Sequence, residues 1–143
     1  MASLYTIIAD TREQAPYTFG RVPCVRRKLD AGDYSVEGLE TTVTVERKSL
    51  DDFVSTVIRQ RKRFNTELAK LQTYKYSCIV VEASVRDLIT GNFSSSANPE
   101  AALGAAISLD VDYRIPVIFC GDRQGGVAFT KRYLCRVWEK ERK

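Results

Sequence analysis

The chain has 143 residues, of which 44% are apolar and 28% charged, and it carries a net charge of +4. This length and composition are typical of one globular domain with one hydrophobic core, and they exclude a disordered or fibrous chain. The chain has no histidine and its four cysteines lack metal-ligand spacing, which argues against a zinc site and excludes a histidine-dependent catalytic triad.

The first elements along the chain are predicted to be strands. Residues 4–10 form a short apolar run that ends in Asp10, as a buried strand does. A loop with Pro16 and Gly20 follows, and residues 22–29 are predicted as a second strand. Residues 31–48 then alternate apolar and polar side chains on either side of Gly38, which predicts a β-hairpin.

A helical region is predicted directly after the hairpin. Ser49, with Asp52 three residues later, resembles a capping box at a helix start. The apolar residues that follow recur at helical spacing on one face, in one long helix or in two consecutive ones. These positions are Leu50, Phe53, Val54, Val57, Ile58, Phe64, Leu68 and Leu71.

The second half of the chain alternates strands and helices. Residues 76–83 and 114–121 are predicted as buried strands, with a short helix after Ser84 and a longer one opened by Asn98 and Pro99. The glycine-rich residues 121–126 are predicted as a turn before a final amphipathic helix carrying Val127, Leu134, Val137 and Trp138. Together the elements predict a single three-layer α/β domain over residues 1–143, with a mixed β-sheet flanked by helices.

No segment is predicted to enter a membrane. No apolar run approaches the ~18 residues that span a bilayer, and the N-terminus lacks the basic region of a signal peptide. The expected location is therefore the cytoplasm or, in a eukaryote, the nucleus, with no membrane partner.

Two carboxylates and a lysine are predicted to converge on the hairpin. Side chains alternate faces along a strand, so Glu46 and Lys48 project together from the face opposite Val43 and Val45. Closing the hairpin near Gly38 brings Asp33 beside Glu46. Each residue has an ordinary alternative reading, because Gly-Asp is a common turn pair and Glu46 with Lys48 can form a simple ion pair.

Neighbouring carboxylates repel unless something neutralises them, and a hard divalent cation such as Mg²⁺ does so with oxygen ligands. Such an ion polarises a phosphoryl oxygen and lowers the pKa of a bound water. Lys48 would stabilise charge that develops on the phosphate or position the attacking water. Asp10, at the end of the first strand, is expected near the same edge of the sheet.

Four basic residues fall within five positions of the helical region: Arg59, Arg61, Lys62 and Arg63. Such a cluster on a protein of modest net charge suits a polyanion partner, although a solvated helix face is an equally ordinary reading. Arg61 falls on the apolar stripe and needs a partner there, whereas Arg59 and Arg63 are placed to touch backbone phosphates.

These residues resemble the XPF-type structure-specific nucleases, a family that includes the archaeal Hef nuclease domain. Gly32-Asp33, followed by Glu46-Arg47-Lys48 and then Asp52, is similar to the family's GD…ERKxxxD signature, and residues 10–13 (DTRE) match its DxRE segment. The helix RQRKRFNTEL is similar to the family's arginine-bearing helix, with Gln60 in place of a common glycine.

The resemblance implies a restriction-endonuclease-like fold and phosphodiester hydrolysis dependent on Mg²⁺ or Mn²⁺. It implies metal ligation by Asp33 and Glu46, with Asp10 nearby, and a catalytic Lys48 supported by Arg12, Arg47 and Asp52. Relatives cut branched or flapped DNA at single-strand/double-strand junctions, often as homodimers, which places such a protein at the nucleoid or in the nucleus. No helix-hairpin-helix or helicase motif accompanies the signature here.

Two other functions stay open from the sequence. The domain can be a non-catalytic DNA-binding or scaffold subunit of a nuclease complex, or it can be a Holliday-junction resolvase or restriction-type nuclease that uses the same metal chemistry. Asp52 is also a candidate helix cap rather than a site residue.

Overall fold

The computed structural model describes residues 4–142. In that part of the chain the strands are β1 (Ile7–Ala9), β2 (Cys24–Arg26), β3 (Tyr34–Val36), β4 (Val43–Lys48), β5 (Tyr76–Val81) and β6 (Val117–Phe119). The helices are α1 (Leu50–Ile58), α2 (Arg61–Leu71), α3 (Val85–Ile89), α4 (Pro99–Val111) and α5 (Arg123–Glu141).

The six strands form one mixed sheet in the order β2-β1-β3-β4-β5-β6. Strand β3 runs antiparallel to both of its neighbours, while the pairs β1–β2, β4–β5 and β5–β6 are parallel. The start of β3 therefore lies at the same edge as the ends of β1 and β4, and the residues just outside those three strand ends share one edge of the sheet.

Helices cover both faces of the sheet, and the interior strand β5 shows why. Ile79 and Val81 pack into a cluster with α1, α2 and α4, whereas Cys78 and Val80 pack into a second cluster with α5. A buried strand between two helical layers has to be apolar on both faces. The predicted three-layer α/β architecture is thus present in the structure.

The helices α1, α3 and α4 each begin directly after a residue whose side chain caps the helix N-terminus. Ser49 accepts a hydrogen bond from the Asp52 backbone N–H at 3.1 Å, and Asn98 accepts one from the Glu100 N–H at 2.8 Å. Ser84 and Asp87 form a reciprocal capping box. The helical region after the hairpin is divided into α1 and α2 at residues 59–60, which decides between the two alternatives left open by the sequence.

The prediction of a turn at residues 121–126 is wrong for residues 123–126, which are helical. Asp122 caps α5 by accepting from the Gly125 N–H at 2.7 Å, and the helix begins at Arg123. Gly125 and Gly126 lie inside this helix, and glycine is required at both positions because neighbours leave no room for a side chain. A Cβ on Gly125 would lie 1.8 Å from the Cys120 carbonyl oxygen, and one on Gly126 would lie 2.2 Å from the Tyr17 hydroxyl.

None of the helices in the described part of the chain combines the length and the apolar character that a membrane span requires.

Candidate active site

A cavity of about 530 Å³ opens at the edge of the sheet where β1 and β4 end and β3 begins. Five acidic residues line it: Asp10, Asp30, Asp33, Glu46 and Glu67. The remaining lining residues are Arg12, Ala31, Gly32, Arg63, Thr66 and Lys70. Acidic and basic side chains thus face one another across a space open to solvent.

Gly32 sets the position of Asp33. Its φ of +77° is favourable only for glycine, and a Cβ there would lie 1.9 Å from the Thr44 Oγ1. This close crossing is held by the Thr44 hydroxyl, which donates to the Ala31 carbonyl at 2.7 Å. Asp33 is then held against β4, because its N–H donates to the Val45 carbonyl and its carboxylate accepts the Arg47 N–H at 2.7 Å.

Asp33, Glu46 and Lys48 come together as the alternation along β4 predicts. The Lys48 Nζ lies 3.4 Å from the Glu46 carboxylate, and both side chains are largely buried. Burial, opposed in part by the Arg47 N–H and Glu46, raises the pKa of Asp33 to about 6. Burial, the charge of Asp33 and the adjacent carboxyl of Glu67 together raise the pKa of Glu46 well above its usual range. Both carboxyl groups therefore resist ionisation, chiefly because they are buried.

Asp10 also lines the cavity, and its carboxylate is hydrogen-bonded to other parts of the protein. It accepts from the Arg12 Nε at 2.7 Å and from the Leu29 N–H at 2.8 Å. Burial opposes ionisation of Asp10, but these hydrogen bonds outweigh it and lower its pKa. Asp10 and Arg12 therefore brace the segment after β1 against Leu29, and metal ligation by Asp10 stays a prediction.

Arg47 is the centre of a separate, buried network. Its guanidinium donates to Glu82 at 2.9 Å and to Glu13 at 3.0 Å, and it lies 4.3 Å from the Tyr17 ring centroid. Tyr17 in turn donates its hydroxyl to Glu82. The network ties the segment after β1 to the ends of β4 and β5. We therefore read Arg47 as a residue that positions its neighbours.

Glu67 and Lys70 are cavity residues that the sequence reasoning did not assign to the site. Both lie on α2 and line the cavity, and the Glu67 carboxyl lies against that of Glu46. The available signal was the match of Glu67 to the arginine-bearing helix motif. That match could not show which way α2 faces relative to the sheet.

The other predicted residues lie around the cavity. Arg63 lines it, and Arg59 and Lys62 flank a shallower hollow next to it that also includes Arg63. Arg61 lies 5.3 Å from the Tyr113 ring and bonds Asn65 at 3.0 Å. Asp52 is exposed and lines a different hollow with Arg47 and Glu82. The structure does not bring Asp52 into the cavity with Asp33.

The donor set at Asp33 and Glu46 fits a hard divalent cation. Two adjacent buried carboxylates that resist joint ionisation would both be stabilised in their charged forms by such an ion. Within residues 4–142, no group of three or more acidic, cysteine or histidine side chains is arranged to hold one ion. A pair of carboxylates still suits Mg²⁺ or Mn²⁺, since Mg²⁺ commonly uses one or two carboxylates and completes its shell with water and phosphate oxygens.

Comparison with known sequences identifies one domain family. The profile of the ERCC4 domain matches residues 9–133. A protein of Methanocaldococcus jannaschii that carries the name of an ATP-dependent RNA helicase is 31% identical over 137 residues, which is 94% of this chain and 15% of that protein. The 3'-flap repair endonuclease Xpf of Saccharolobus solfataricus is 28% identical over 134 residues, which is 88% of this chain and 53% of that protein. The chain thus spans about half, or less, of the length of these curated relatives.

Two solved structures share the fold. XPF from Aeropyrum pernix superposes with a TM-score of 0.73 at 20% identity, over 92% of this chain and 61% of that one. The same protein in complex with DNA gives a TM-score of 0.70 at 22% identity, over 96% of this chain and 66% of that one. This likeness confirms the α/β fold expected from the sequence.

Proposed function

Because the chain belongs to the ERCC4 domain family, we propose that it is a divalent-metal-dependent endonuclease that hydrolyses phosphodiester bonds in branched or flapped DNA. The supporting observation is that Asp33 and Glu46 line a solvent-open cavity together with basic side chains, while the Lys48 ammonium lies 3.4 Å from the Glu46 carboxylate. The full signature is intact, which favours catalysis over a purely non-catalytic DNA-binding role.

In this proposal the acidic and basic residues of the site have different roles. Asp33 and Glu46 would hold Mg²⁺ or Mn²⁺, which, when bound, supplies Lewis-acid polarisation of the scissile phosphate. The Lys48 ammonium, 3.4 Å from Glu46, supplies positive charge where the phosphate gains negative charge in the transition state. Asp10 and Arg12 fix the segment that forms one wall of the cavity.

The basic residues at the cavity rim account for DNA binding in this proposal. Arg63 and Lys70 line the cavity, and Arg59 and Lys62 extend the positive surface along the α1–α2 junction. Phosphate contacts from these side chains would position the strand without reading its sequence. Arg61 bonds Asn65 through its Nε alone, so its phosphate contact stays a prediction. The protein would then act at chromosomal DNA, in a nucleoid or a nucleus.

A second copy of the chain is the proposed partner at α4. Ile107 and Val111 are 53% and 66% exposed on this helix, which is too apolar a surface to suit a polyanion. Next to α4 lies β6, the edge strand of the described sheet. Sedimentation should give a dimer for the wild type and a monomer for Ile107→Asp. A wild-type monomer at high protein concentration would contradict this part of the proposal.

The activity is tested with labelled splayed-arm, flap and linear duplex DNA, incubated with Mg²⁺, with Mn²⁺ or with EDTA. We expect metal-dependent cuts near the junction for the wild type. Lys48→Ala should lose them, because the charge beside the phosphate is gone, while Lys75→Ala, at the opposite end of the sheet, should cut normally. Circular dichroism melts should verify that both variants are folded.

The alternatives give different results in the same assay. Tight, salt-sensitive binding of junction DNA, with no cleavage by the wild type in either metal, would identify a binding or scaffold subunit and refute the enzyme proposal. Paired symmetric nicks on a four-way junction, with intact flaps, would identify a resolvase.

A further inference from the structure

A second positively charged site lies on the other face of the sheet from the candidate active site. A groove of about 740 Å³ runs between α5 and the segment at residues 18–20. Arg123, Lys131 and Arg132 line it, with Phe19 and Val127 among the apolar residues. Of the described residues that form this groove, three are cationic and none is acidic, so its ligand should be a polyanion.

The groove begins close to the candidate active site. Arg123 donates to the Ala15 and Pro16 carbonyls, both at 3.1 Å, and its guanidinium lies 5.2 Å from the Tyr17 ring. The same ring lies against Arg47, which stands between Glu46 and Lys48 in the sequence. The segment at residues 10–20 therefore has one end in the active-site cavity and the other in the groove.

The length of the groove matches a short stretch of nucleic-acid backbone. Arg123 and Lys131 are eight residues apart on one helix, which is about 12 Å. One strand of B-form DNA carries a phosphate every 3.4 Å along the axis, so this distance corresponds to about three or four nucleotides. Lys131 can lie over the chain at Gly20, since its Nζ is 3.8 Å from the position of a Cβ there.

Resting on the proposed nuclease function, we propose that the α5 groove holds the phosphate backbone of a second arm of the branched DNA, while the arm to be cut occupies the active-site cavity. The segment at residues 10–20 then lies at the branch point between the two arms. Selection of branched over linear DNA follows from the need to fill both sites at once, since a linear duplex reaches only one.

The test measures binding in EDTA, so that it does not depend on catalysis. Fluorescence anisotropy with a splayed-arm and a linear duplex, over a series of salt concentrations, compares the wild type with Lys131→Gln/Arg132→Gln. The charge-matched control is Lys75→Gln/Arg86→Gln, which lies outside the groove. For splayed-arm DNA, the groove variant should have a salt slope shallower by about 1.5 to 2, corresponding to two lost phosphate contacts. The slope of the control should match that of the wild type.

A photo-crosslinking residue at Gln124, which lines the groove, should form adducts with the arm that is not cut. The groove proposal would be overturned if the groove variant and the wild type had equal salt slopes. It would also be overturned if the salt slope of the control variant fell as much as that of the groove variant, or if the wild type did not prefer splayed-arm to linear DNA. Normal flap cleavage together with an unchanged salt slope would support the nuclease proposal and refute only the groove proposal. A shallower salt slope for the groove variant of a protein that does not cleave DNA would support the groove as a DNA-binding site and refute the nuclease proposal.

Discussion

Replacement of Arg47 by methionine should destabilise the fold more than it affects chemistry directly. The guanidinium neutralises Glu13 and Glu82, whose side chains are 14% and 15% exposed. Methionine keeps most of the side-chain volume but leaves both carboxylates without their cation. Removing one partner of a fully buried ion pair costs about 3–5 kcal/mol. Because these groups retain some contact with water, we expect about 2–4 kcal/mol.

Urea unfolding is the appropriate assay, followed through the single tryptophan, Trp138. The midpoint should fall while the slope stays constant, because the area exposed on unfolding is unchanged. The melting temperature should fall by roughly 6–12 °C, at about 3 °C per kcal/mol for a domain of this size.

A second substitution separates charge from packing. Arg47→Met/Glu82→Gln removes one of the uncompensated carboxylates and should recover part of the lost stability. If Arg47→Met unfolds at the wild-type midpoint but fails to cleave DNA, the network does not hold the fold and Arg47 belongs to the catalytic group instead.

Four further substitutions probe the cavity and the helices α4 and α5. Glu67→Gln should weaken Mn²⁺ binding by about tenfold or more, measured by calorimetry, because it removes a negative charge beside Glu46; an unchanged affinity would exclude Glu67 from the site. The pKa of Asp33, raised to about 6, means that its charge opposes folding as the pH rises through that value. The melting temperature of the metal-free protein should therefore fall from about pH 5 to about pH 7 more in the wild type than in Asp33→Asn, and saturating Mn²⁺ should reverse the fall only in the wild type. Gly126→Ala should cost about 1–3 kcal/mol in urea unfolding, because its Cβ would meet the Tyr17 hydroxyl, whereas Gly104→Ala, with open space around it, should be neutral or slightly stabilising.

The core of the candidate site could be predicted because it depends on local geometry. The relative positions of Asp33, Glu46 and Lys48 follow from the alternation of side chains along β4 and from one β-hairpin. The ERCC4 match confirms the family inferred from these residues. Their individual roles stay predictions.

The rest depends on contacts between residues far apart in sequence. Arg47 bonds Glu82, which directly follows β5 and lies 35 residues further along the chain. Arg61 packs on Tyr113, and no periodicity can indicate either contact. The break between α1 and α2 sets the direction in which Glu67 faces. Glycine pairs usually mark turns, and at residues 125–126 only the packing of α5 against Tyr17 and Cys120 shows that they lie in a helix.

The turn between β3 and β4 offers an attachment point for reporters. It lies at the start of β4, and the six residues of that strand place it about 17 Å from Lys48. Gly38 is exposed there, and a side chain at its position would meet no other atom within 4 Å. A fluorophore carried by a short glycine-flanked insertion after Gly38 should therefore follow DNA docking without disturbing the acidic pair, and an unchanged Mn²⁺-induced rise in melting temperature would verify it.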